Sequence, residues 1–342
     1  MQRGESFARM LKDEKENMMA KYYLAPMEGI TTYIFRNAYH TYFRKMDKYY
    51  TPFFVPHSKR GLNLKEQEEI LPAHNAGLFV VPQILSNNGK DCVQTIEKLK
   101  RYGYEEINLN FGCPSRTVAS KYRGSGFLAK PEELDHFLDT VFSNEKDVKI
   151  SVKTRLGRDE PEEFERILSI YNQYPLNELI IHPRVQKDYY MHEVRLSWYA
   201  YAEEHSRHSL CYNGELNTVE NIQKMQQRFP QTDSWMIGRG MIANPGLLME
   251  LEAEKLKKEK KIQSHDDFSI EKERMAAFLE DICVHYEEAS PKAIYVLFKM
   301  KEIWTYLMRY YPDQLEKIRK IKKTQTIEEY KREVQEFFTL LR

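Results

Sequence analysis

The chain has 342 residues, of which 42% are hydrophobic and 30% are charged, and its formal net charge is +1. This length suits one large α/β domain with a smaller companion, and the balanced charge gives no global sign of nucleic-acid binding. No apolar run reaches the ~18 residues of a membrane span, and the charged N-terminus lacks the apolar core of a signal peptide. Four separate cysteines, Cys92, Cys113, Cys211 and Cys283, form no metal-binding motif. We expect a cytoplasmic monomer without a metal site that binds neither membrane nor DNA.

Short apolar segments alternate with helix-like segments after residue 20. The strand candidates are residues 22–27, 49–55, 78–84, 106–110, 149–155, 178–184, 209–215 and 234–240. Helix candidates between them include residues 32–46, 89–102, 131–142, 162–174 and 218–229. Buried strands that alternate with helices indicate a parallel sheet, and about eight such units match a closed (β/α)8 TIM barrel of the α/β class. An open doubly wound sheet is the alternative, but its typical G-x-G-x-x-G motif does not follow the first strand.

Strand patterns end near Pro245. Beyond it, residues 247–260, 268–286, 291–310, 312–322 and 326–341 have the amphipathic spacing of helices. We therefore predict an N-terminal extension at residues 1–20, a barrel at residues 21–250, and an appended C-terminal helical bundle domain at residues 262–342.

Polar and glycine residues stand at the C-terminal ends of the predicted strands, which converge on one face of a barrel. One such residue is more often an ordinary part of the rim, but this number of them indicates a functional site. They are Pro26, Met27, Glu28, Gln83, Asn110, Lys153, Arg155, His182, Arg184, Asn213, Gly214, Glu215, Gly238 and Arg239. The glycine-containing ends of the last two strands are typical of a phosphate site. An anionic cofactor ring would also offset the cost of burying Lys153, so these features predict flavin mononucleotide (FMN).

Cys113 follows the fourth strand in a Gly-Cys-Pro turn, and a basic segment with Arg116, Lys121 and Arg123 comes next. A single cysteine is most often buried and inert. Its place at a strand end favours a chemical role, either as a nucleophile with His182 as a base or as a general acid. With a flavin present, the general acid is the simpler role. The basic segment suits a phosphate-rich substrate.

Five motifs, in the right order over residues 21–250, resemble those of the tRNA-dihydrouridine synthase family. They are Leu24-Ala25-Pro26-Met27-Glu28-Gly29, Ile107-Asn108-Leu109-Asn110-Phe111-Gly112-Cys113-Pro114 with Val118 and Gly124-Ser125, Ser151-Val152-Lys153-Thr154-Arg155-Leu156-Gly157, Asn213-Gly214-Glu215, and Met236-Ile237-Gly238-Arg239-Gly240. The sequence departs from the family pattern at Pro183, where a small residue is common, and at Glu215, where many members have Asp.

The resemblance implies that FMN, reduced by NADPH, passes a hydride to C6 of a uridine in tRNA while Cys113 gives a proton to C5. The uracil has to leave the RNA stack to reach the flavin. Cofactor contacts are implied for Pro26, Met27, Glu28, Gln83, Lys153, His182, Asn213, Gly214, Glu215, Gly238 and Arg239. Substrate contacts are implied for Asn110, Arg155, Arg116 and Arg184.

The family also appends a helical tRNA-binding domain to its barrel, which agrees with the helical C-terminus. Its basic cluster, Lys317, Arg319 and Lys320, is the candidate phosphate contact, and a second basic set is Lys292, Lys299, Lys301 and Arg309. Two alternatives remain: an FMN barrel that acts on a small molecule, such as a dihydroorotate dehydrogenase-like protein or an ene-reductase, and an RNA-binding protein without turnover.

Overall fold

Eight parallel strands close into a barrel in this computed structural model, which describes residues 20–56, 62–258 and 268–341. The strands are β1 Lys21–Leu24, β2 Lys48–Phe54, β3 Val80–Ile84, β4 Glu106–Phe111, β5 Lys149–Gly157, β6 Glu178–Val185, β7 Leu210–Tyr212 and β8 Ser234–Ile237. Each strand pairs with its neighbour in sequence, and β8 pairs with β1 through Leu24 and Ile237. The predicted TIM barrel is therefore confirmed, and the open doubly wound sheet is excluded.

All eight predicted strands are present, but three of them end three residues earlier than the sequence pattern indicates. β1 ends at Leu24, β7 at Tyr212 and β8 at Ile237. Consequently Pro26, Asn213 and Gly238 belong to the turns that follow these strands. Turns at this end of a barrel carry the functional residues.

Among the described residues, eight helices lie between the strands: α1 Tyr33–Tyr42, α2 Leu64–Glu68, α3 Gly89–Arg101, α4 Arg116–Ala119, α5 Pro131–Asn144, α6 Glu163–Tyr171, α7 Leu196–His205 and α8 Val219–Arg228. Caps fix several of the starts, since the side chains of Asn88 and Thr218 accept hydrogen bonds from the backbone of the first turns of α3 and α8. The sequence pattern did not reveal α7, because its aromatic residues are spread around the helix and blur the amphipathic spacing.

A buried ionic layer fills the end of the barrel where the strands begin. Lys48 Nζ lies 2.8 Å from Glu106 Oε1 and 3.6 Å from Glu178 Oε2. The Tyr23 hydroxyl donates a hydrogen bond of 2.9 Å to Glu178, and the Tyr50 ring lies 6.0 Å from the Tyr23 ring. We call Lys48, Glu106, Glu178, Tyr23 and Tyr50 the barrel floor. Mutual pairing of its charges offsets the cost of their burial.

In the part of the chain that the structure describes, six further helices follow β8: α9 Arg239–Ala243, α10 Leu247–Lys258, α11 Phe268–Ala289, α12 Ala293–Leu307, α13 Leu315–Lys323 and α14 Ile327–Leu340. They match the predicted helical C-terminus closely. Phe278 of α11 packs edge-on against Phe35 and Phe43 of the α1 region, with ring centroids 5.6 and 5.1 Å apart. The C-terminal helices therefore share a hydrophobic core with the barrel.

Two predictions on domain organisation are not tested by this architecture. The N-terminal extension at residues 1–20 falls, except for Ala20, outside the described residues. The boundary between a barrel at 21–250 and a helical domain at 262–342 stays a prediction. In the described ranges, none of the helices combines the length and apolarity that crossing a membrane requires.

Candidate active site at the C-terminal ends of the strands

The predicted site residues of β4, β5 and β6 lie side by side in the sheet. Asn110 of β4 is in register with Lys153 of β5, and Arg155 of β5 is in register with His182 of β6. The charges of Lys153 and Arg155 also act on the Cys113 thiol. The barrel thus gathers residues that are up to 72 positions apart in the chain, from Asn110 to His182.

The turn that carries Cys113 is fixed on both sides of the residue. Asn110 Oδ1 accepts hydrogen bonds from the backbone N–H groups of Gly112, at 3.0 Å, and Cys113, at 2.9 Å. The Cys113 carbonyl accepts from the backbone N–H of Ser125, at 3.1 Å, and from its hydroxyl, at 2.8 Å. The thiol therefore has a defined position after β4.

Close backbone contacts explain the two glycines on either side of Ser125. Gly124 has a φ of +54°, and a Cβ there would lie 2.7 Å from the Cys113 carbonyl oxygen. A Cβ on Gly126 would lie 2.4 Å from the Ala119 carbonyl oxygen. Only glycine fits both positions, because these contacts involve rigid backbone.

Burial raises the pKa of the Cys113 thiol, although the Ser115 backbone N–H and the charges of Lys153 and Arg155 partly oppose this effect. The thiol is therefore protonated at neutral pH. A protonated thiol can donate a proton but is a poor nucleophile. A protonated thiol fits the general acid better than the nucleophile, of the two roles predicted for Cys113.

Lys153 has no hydrogen-bond or ion-pair partner among the described residues. Burial, aided by the charge of Arg155, lowers the pKa of Lys153 to about 8. Because burial destabilises the charged form of Lys153, an anion that binds next to the ammonium group would stabilise it.

Arg155 is fully enclosed, with 1% of its surface exposed. Its guanidinium donates to the carbonyl oxygens of Gly112, at 3.1 Å, Val185, at 2.8 Å, and Tyr189, at 2.7 Å. These bonds tie the Cys113 turn to the end of β6. In the structure Arg155 thus stabilises the site through the backbone.

His182 is neutral and has a defined tautomer. Its Nε2 lies 3.0 Å from an Arg184 nitrogen, which can only donate, so the ring proton is on Nδ1 and faces Asn213 Oδ1 at 3.4 Å. Asn213 Nδ2 donates to the Met236 carbonyl, which fixes the orientation of this amide. Burial and the charges of Arg155, Lys153 and Arg184 hold the pKa of His182 well below its usual range.

Two arginines share one carboxylate beside His182. Glu215 Oε1 lies 2.7 Å from both Arg184 and Arg239. Burial by itself raises the pKa of Glu215, but bonding to Arg184 and the charge of Arg239 lower it below its usual range. Two guanidinium groups with one carboxylate leave a positive charge at this corner, which suits an anion.

Gly238 brings the end of β8 against the turn after β1. A Cβ on Gly238 would lie 3.3 Å from Ala25 Cβ and 3.5 Å from Met27 Sδ. Pro26 and Met27 are partly exposed and Glu28 is exposed at this position. Gly214 follows β7, and a Cβ there would collide with the Tyr212 hydroxyl at 2.2 Å.

Tyr190 is part of this site, and the sequence analysis did not identify it. Its ring lies 4.2 Å from the Arg239 guanidinium carbon, 5.2 Å from that of Arg155, and 5.9 Å from the His182 ring. Its side chain is 45% exposed. The run of aromatic residues after β6 was the available signal, and only the three-dimensional arrangement shows which of them covers the arginines.

The basic segment after Cys113 is partly helical. α4 begins at Arg116, whose side chain is exposed. Tyr122 has a φ of +49° and its ring lies 4.4 Å from Lys130 Nζ. The exposed cations of this segment are accessible at the barrel rim.

The basic residues of the C-terminal helices fall into two groups. On α13, Arg319 and Lys320 are exposed and Lys317 is partly exposed. Lys299 and Lys301 instead donate hydrogen bonds to the backbone carbonyls of Gly29 and Thr324. Their ammonium groups are thus engaged within the protein, which corrects their assignment to the second phosphate-binding set.

Comparison with known proteins identifies related sequences. A sequence profile of the family described as Dihydrouridine synthase (Dus) matches residues 23–336. The "Probable tRNA-dihydrouridine synthase" of Staphylococcus aureus (strain COL) is 28% identical over 253 residues, which are 68% of this chain and 73% of that protein. The "tRNA-dihydrouridine(16) synthase" of Pseudomonas syringae pv. tomato is 27% identical over 247 residues, which are 67% of this chain and 74% of that protein.

Among solved structures, a morphinone reductase variant in complex with tetrahydroNAD has a TM-score of 0.50 and 12% sequence identity. The match covers 73% of this chain and 90% of that one, and it shows the shared barrel fold. The family match spans most of the chain and includes every motif at the strand ends. The chain therefore belongs to the dihydrouridine synthase family.

Proposed function

We propose that this protein reduces uridine to 5,6-dihydrouridine in tRNA, with FMN as cofactor and NADPH as reductant. The observation that carries the proposal is the Cys113 turn, whose protonated thiol is influenced by the charge of Lys153, an ammonium without a partner among the described residues. Membership of the family supports the same reaction. Both related proteins named above carry tRNA-dihydrouridine synthase in their names.

The residues present fit a flavin with a phosphate. Lys153 lacks a partner in the described part of the chain, and the corner of His182, Arg184 and Arg239 has a net positive charge. The proposed cofactor contacts are Pro26, Met27, Glu28, Gln83, Lys153, His182, Asn213, Gly214, Gly238 and Arg239. Glu215 acts by orienting Arg184 and Arg239 rather than by touching an anion.

Bound FMN would supply the hydride that adds to C6 of the uracil. Cys113 Sγ gives its proton to C5, so that one hydride and one proton together saturate the C5–C6 double bond. The positive charge of Lys153 would stabilise the negative charge of the reduced cofactor. Arg155 keeps the Cys113 turn in place through the Gly112 carbonyl.

The substrate reaches the site from the rim. A uracil must turn out of the RNA stack to contact a reactive centre inside the barrel. We propose that Arg116 and Arg184 act at the rim, and that Lys317, Arg319 and Lys320 contact RNA phosphates from a helical domain at residues 262–342. We further propose that the protein acts as a monomer in the cytoplasm, where tRNA is found.

The proposal is tested on tRNA that lacks dihydrouridine. After incubation with the protein, FMN and NADPH, mass spectrometry of the nucleosides should show dihydrouridine. Cys113→Ala should bind FMN and tRNA like the parent and form little product, whereas Cys283→Ala, a buried thiol in α11, should remain active. A yellow protein that oxidises NADPH and forms no dihydrouridine would favour a small-molecule substrate, and a protein without flavin would favour RNA binding alone.

A further inference from the structure

A chain of hydrogen bonds between side chains runs through the barrel interior to the Cys113 turn. Asn108 Nδ2 donates to Ser151 Oγ at 2.9 Å, and Gln83 Nε2 donates to Asn108 Oδ1 at 2.7 Å. Asn110 Nδ2 donates to Gln83 Oε1 at 2.7 Å. The side-chain oxygen of Asn110 in turn accepts hydrogen bonds from the backbone N–H groups of Gly112 and Cys113.

Each amide in this chain has only one orientation that satisfies its neighbours. The Ser151 hydroxyl proton is directed to the Ile107 carbonyl at 3.4 Å, so Oγ can only accept from Asn108. This places Asn108 Oδ1 towards Gln83, and Gln83 Oε1 towards Asn110. The remaining oxygen of Asn110 faces the backbone N–H groups of Gly112 and Cys113. The orientation of each side chain in the series Ser151, Asn108, Gln83 and Asn110 therefore determines the orientation of the next.

The two residues at the start of the chain are enclosed by protein. Asn108 and Ser151 both have 0% of their surface exposed, and neither belongs to the residues that we assign to cofactor or substrate. Their polar groups are costly to bury and are used only within this chain of bonds. Packing alone does not call for an amide and a hydroxyl at these two interior positions.

We propose that Asn108 and Ser151 are positioning residues, which orient the side-chain amides of Gln83 and Asn110 and thereby fix the turn that carries Cys113. The proposal rests on the proposed function, because the acid whose position is fixed is the one that protonates uracil. Its first test, however, needs neither cofactor nor RNA.

Loss of the Asn108 oxygen leaves a buried donor on Gln83 unpaired, which is unfavourable in the protein interior. Rotation of Gln83 towards another acceptor removes Oε1 from Asn110. The Asn110 amide then loses its anchor, and the N–H groups of Gly112 and Cys113 lose their acceptor. The effect of the substitution therefore reaches a turn that Asn108 does not itself contact.

Two variants separate hydrogen bonding from packing. Asn108→Leu keeps the approximate volume and removes the acceptor. Asn108→Asp keeps an oxygen for Gln83, and its second oxygen can accept the Ser151 hydroxyl proton. The matched control is Thr232→Val. It breaks the buried hydrogen bond between Tyr199 and Thr232, which is 2.8 Å long and does not involve the Cys113 turn. Ser151→Ala removes only the first link and serves as a milder variant.

The first measurement is hydrogen exchange at the backbone N–H groups of Gly112 and Cys113. We expect Asn108→Leu to speed exchange at least about tenfold there, and Asn108→Asp and Thr232→Val to leave it unchanged. Unchanged exchange in Asn108→Leu, or equal acceleration in both Asn108 variants, would overturn the proposal. If Asn108→Leu does not fold, Ser151→Ala takes its place, with a smaller acceleration expected.

The second measurement compares the two half-reactions. Asn108→Leu should slow single-turnover reduction of uridine by about ten- to hundredfold, and should slow reduction of the flavin by NADPH clearly less, through the proposed contact of Gln83 with the cofactor. Asn108→Asp should restore most of the uridine reduction. If the parent forms no dihydrouridine, the proposed function fails, and the exchange data still decide whether the chain of bonds positions the turn.

Discussion

The ammonium group of Lys299, on α12, donates a hydrogen bond to the carbonyl oxygen of Gly29 in the turn after β1. Lys299 is only 6% exposed, and Glu302 lies 3.8 Å from its Nζ. Gly29 has a φ of +79° and belongs to the turn that contains Pro26, Met27 and Glu28. The C-terminal helices therefore support a turn for which we propose cofactor contacts.

Removal of this bond should weaken cofactor binding. We expect Lys299→Met to lower the free energy of unfolding by about 2 kcal/mol and the affinity for FMN by several-fold, because a charged buried hydrogen bond is lost next to Met27. Titration of the apoprotein with FMN measures the affinity. Lys331→Met is the matched control, since it breaks the exposed pair with Glu287 and should cost less than about 1 kcal/mol. Equal effects of the two substitutions would contradict this role of Lys299.

Cofactor binding should depend on pH through Lys153. The pKa of Lys153 in the unliganded protein is lowered to about 8, so below pH 8 the ammonium is charged and ready for an anion. Above pH 8 the group must take up a proton on binding, and the FMN affinity should fall by up to about tenfold per pH unit. Lys153→Met should bind FMN weakly and without this dependence. Titrations between pH 7 and 9 measure the trend, and Cys113→Ala, which retains Lys153, should reproduce the parent profile.

The ring of Tyr190 should be required for anion binding at the corner formed by His182, Arg184 and Arg239. We expect Tyr190→Ala to lower both FMN retention and kcat/KM by about tenfold, because the ring lies against the guanidinium groups of Arg155 and Arg239. Tyr190→Phe keeps the ring and should behave like the parent. Flavin absorbance and initial rates check both. A large loss in Tyr190→Phe would show that the hydroxyl group is the important part.

Neutralising the basic cluster on α13 should change how tRNA binding depends on salt. We expect the combined change of Lys317, Arg319 and Lys320 to Gln to weaken binding and reduce the slope of log affinity against log salt by up to about two to three. The control changes three exposed cations at the opposite end of the barrel, Arg101, Lys146 and Lys149, to Gln. If the control variant has the larger effect, the RNA lies on the other face.

Much of the fold and the site could be predicted from the sequence because the relevant signals are local. Each strand is a short apolar run, and polar residues directly after such runs must meet at one end of a barrel. The Gly124-Ser125-Gly126 motif reflects direct backbone contact with Cys113 and Ala119, so its spacing is constrained by the fold.

The remaining features depend on contacts between distant segments. Nothing in the sequence shows that Lys299 meets Gly29, 270 residues earlier, so this buried lysine resembles a surface cation. Likewise, Tyr190 cannot be distinguished from Tyr189 until β5 and β8 bring Arg155 and Arg239 to it. The orientations of the Gln83 and Asn108 amides require the paired register of β3, β4 and β5.

The barrel floor has a consequence for the order of events during turnover. Because Lys48, Glu106, Glu178 and the two tyrosines close one end, the proposed function requires reductant and RNA to enter at the opposite end, where the strands finish. On this proposal, NADPH and tRNA should compete for that end, and steady-state inhibition of each by the other measures the competition. The reductant and the tRNA would then bind in alternation, and the cofactor would hold the electrons between the two binding events.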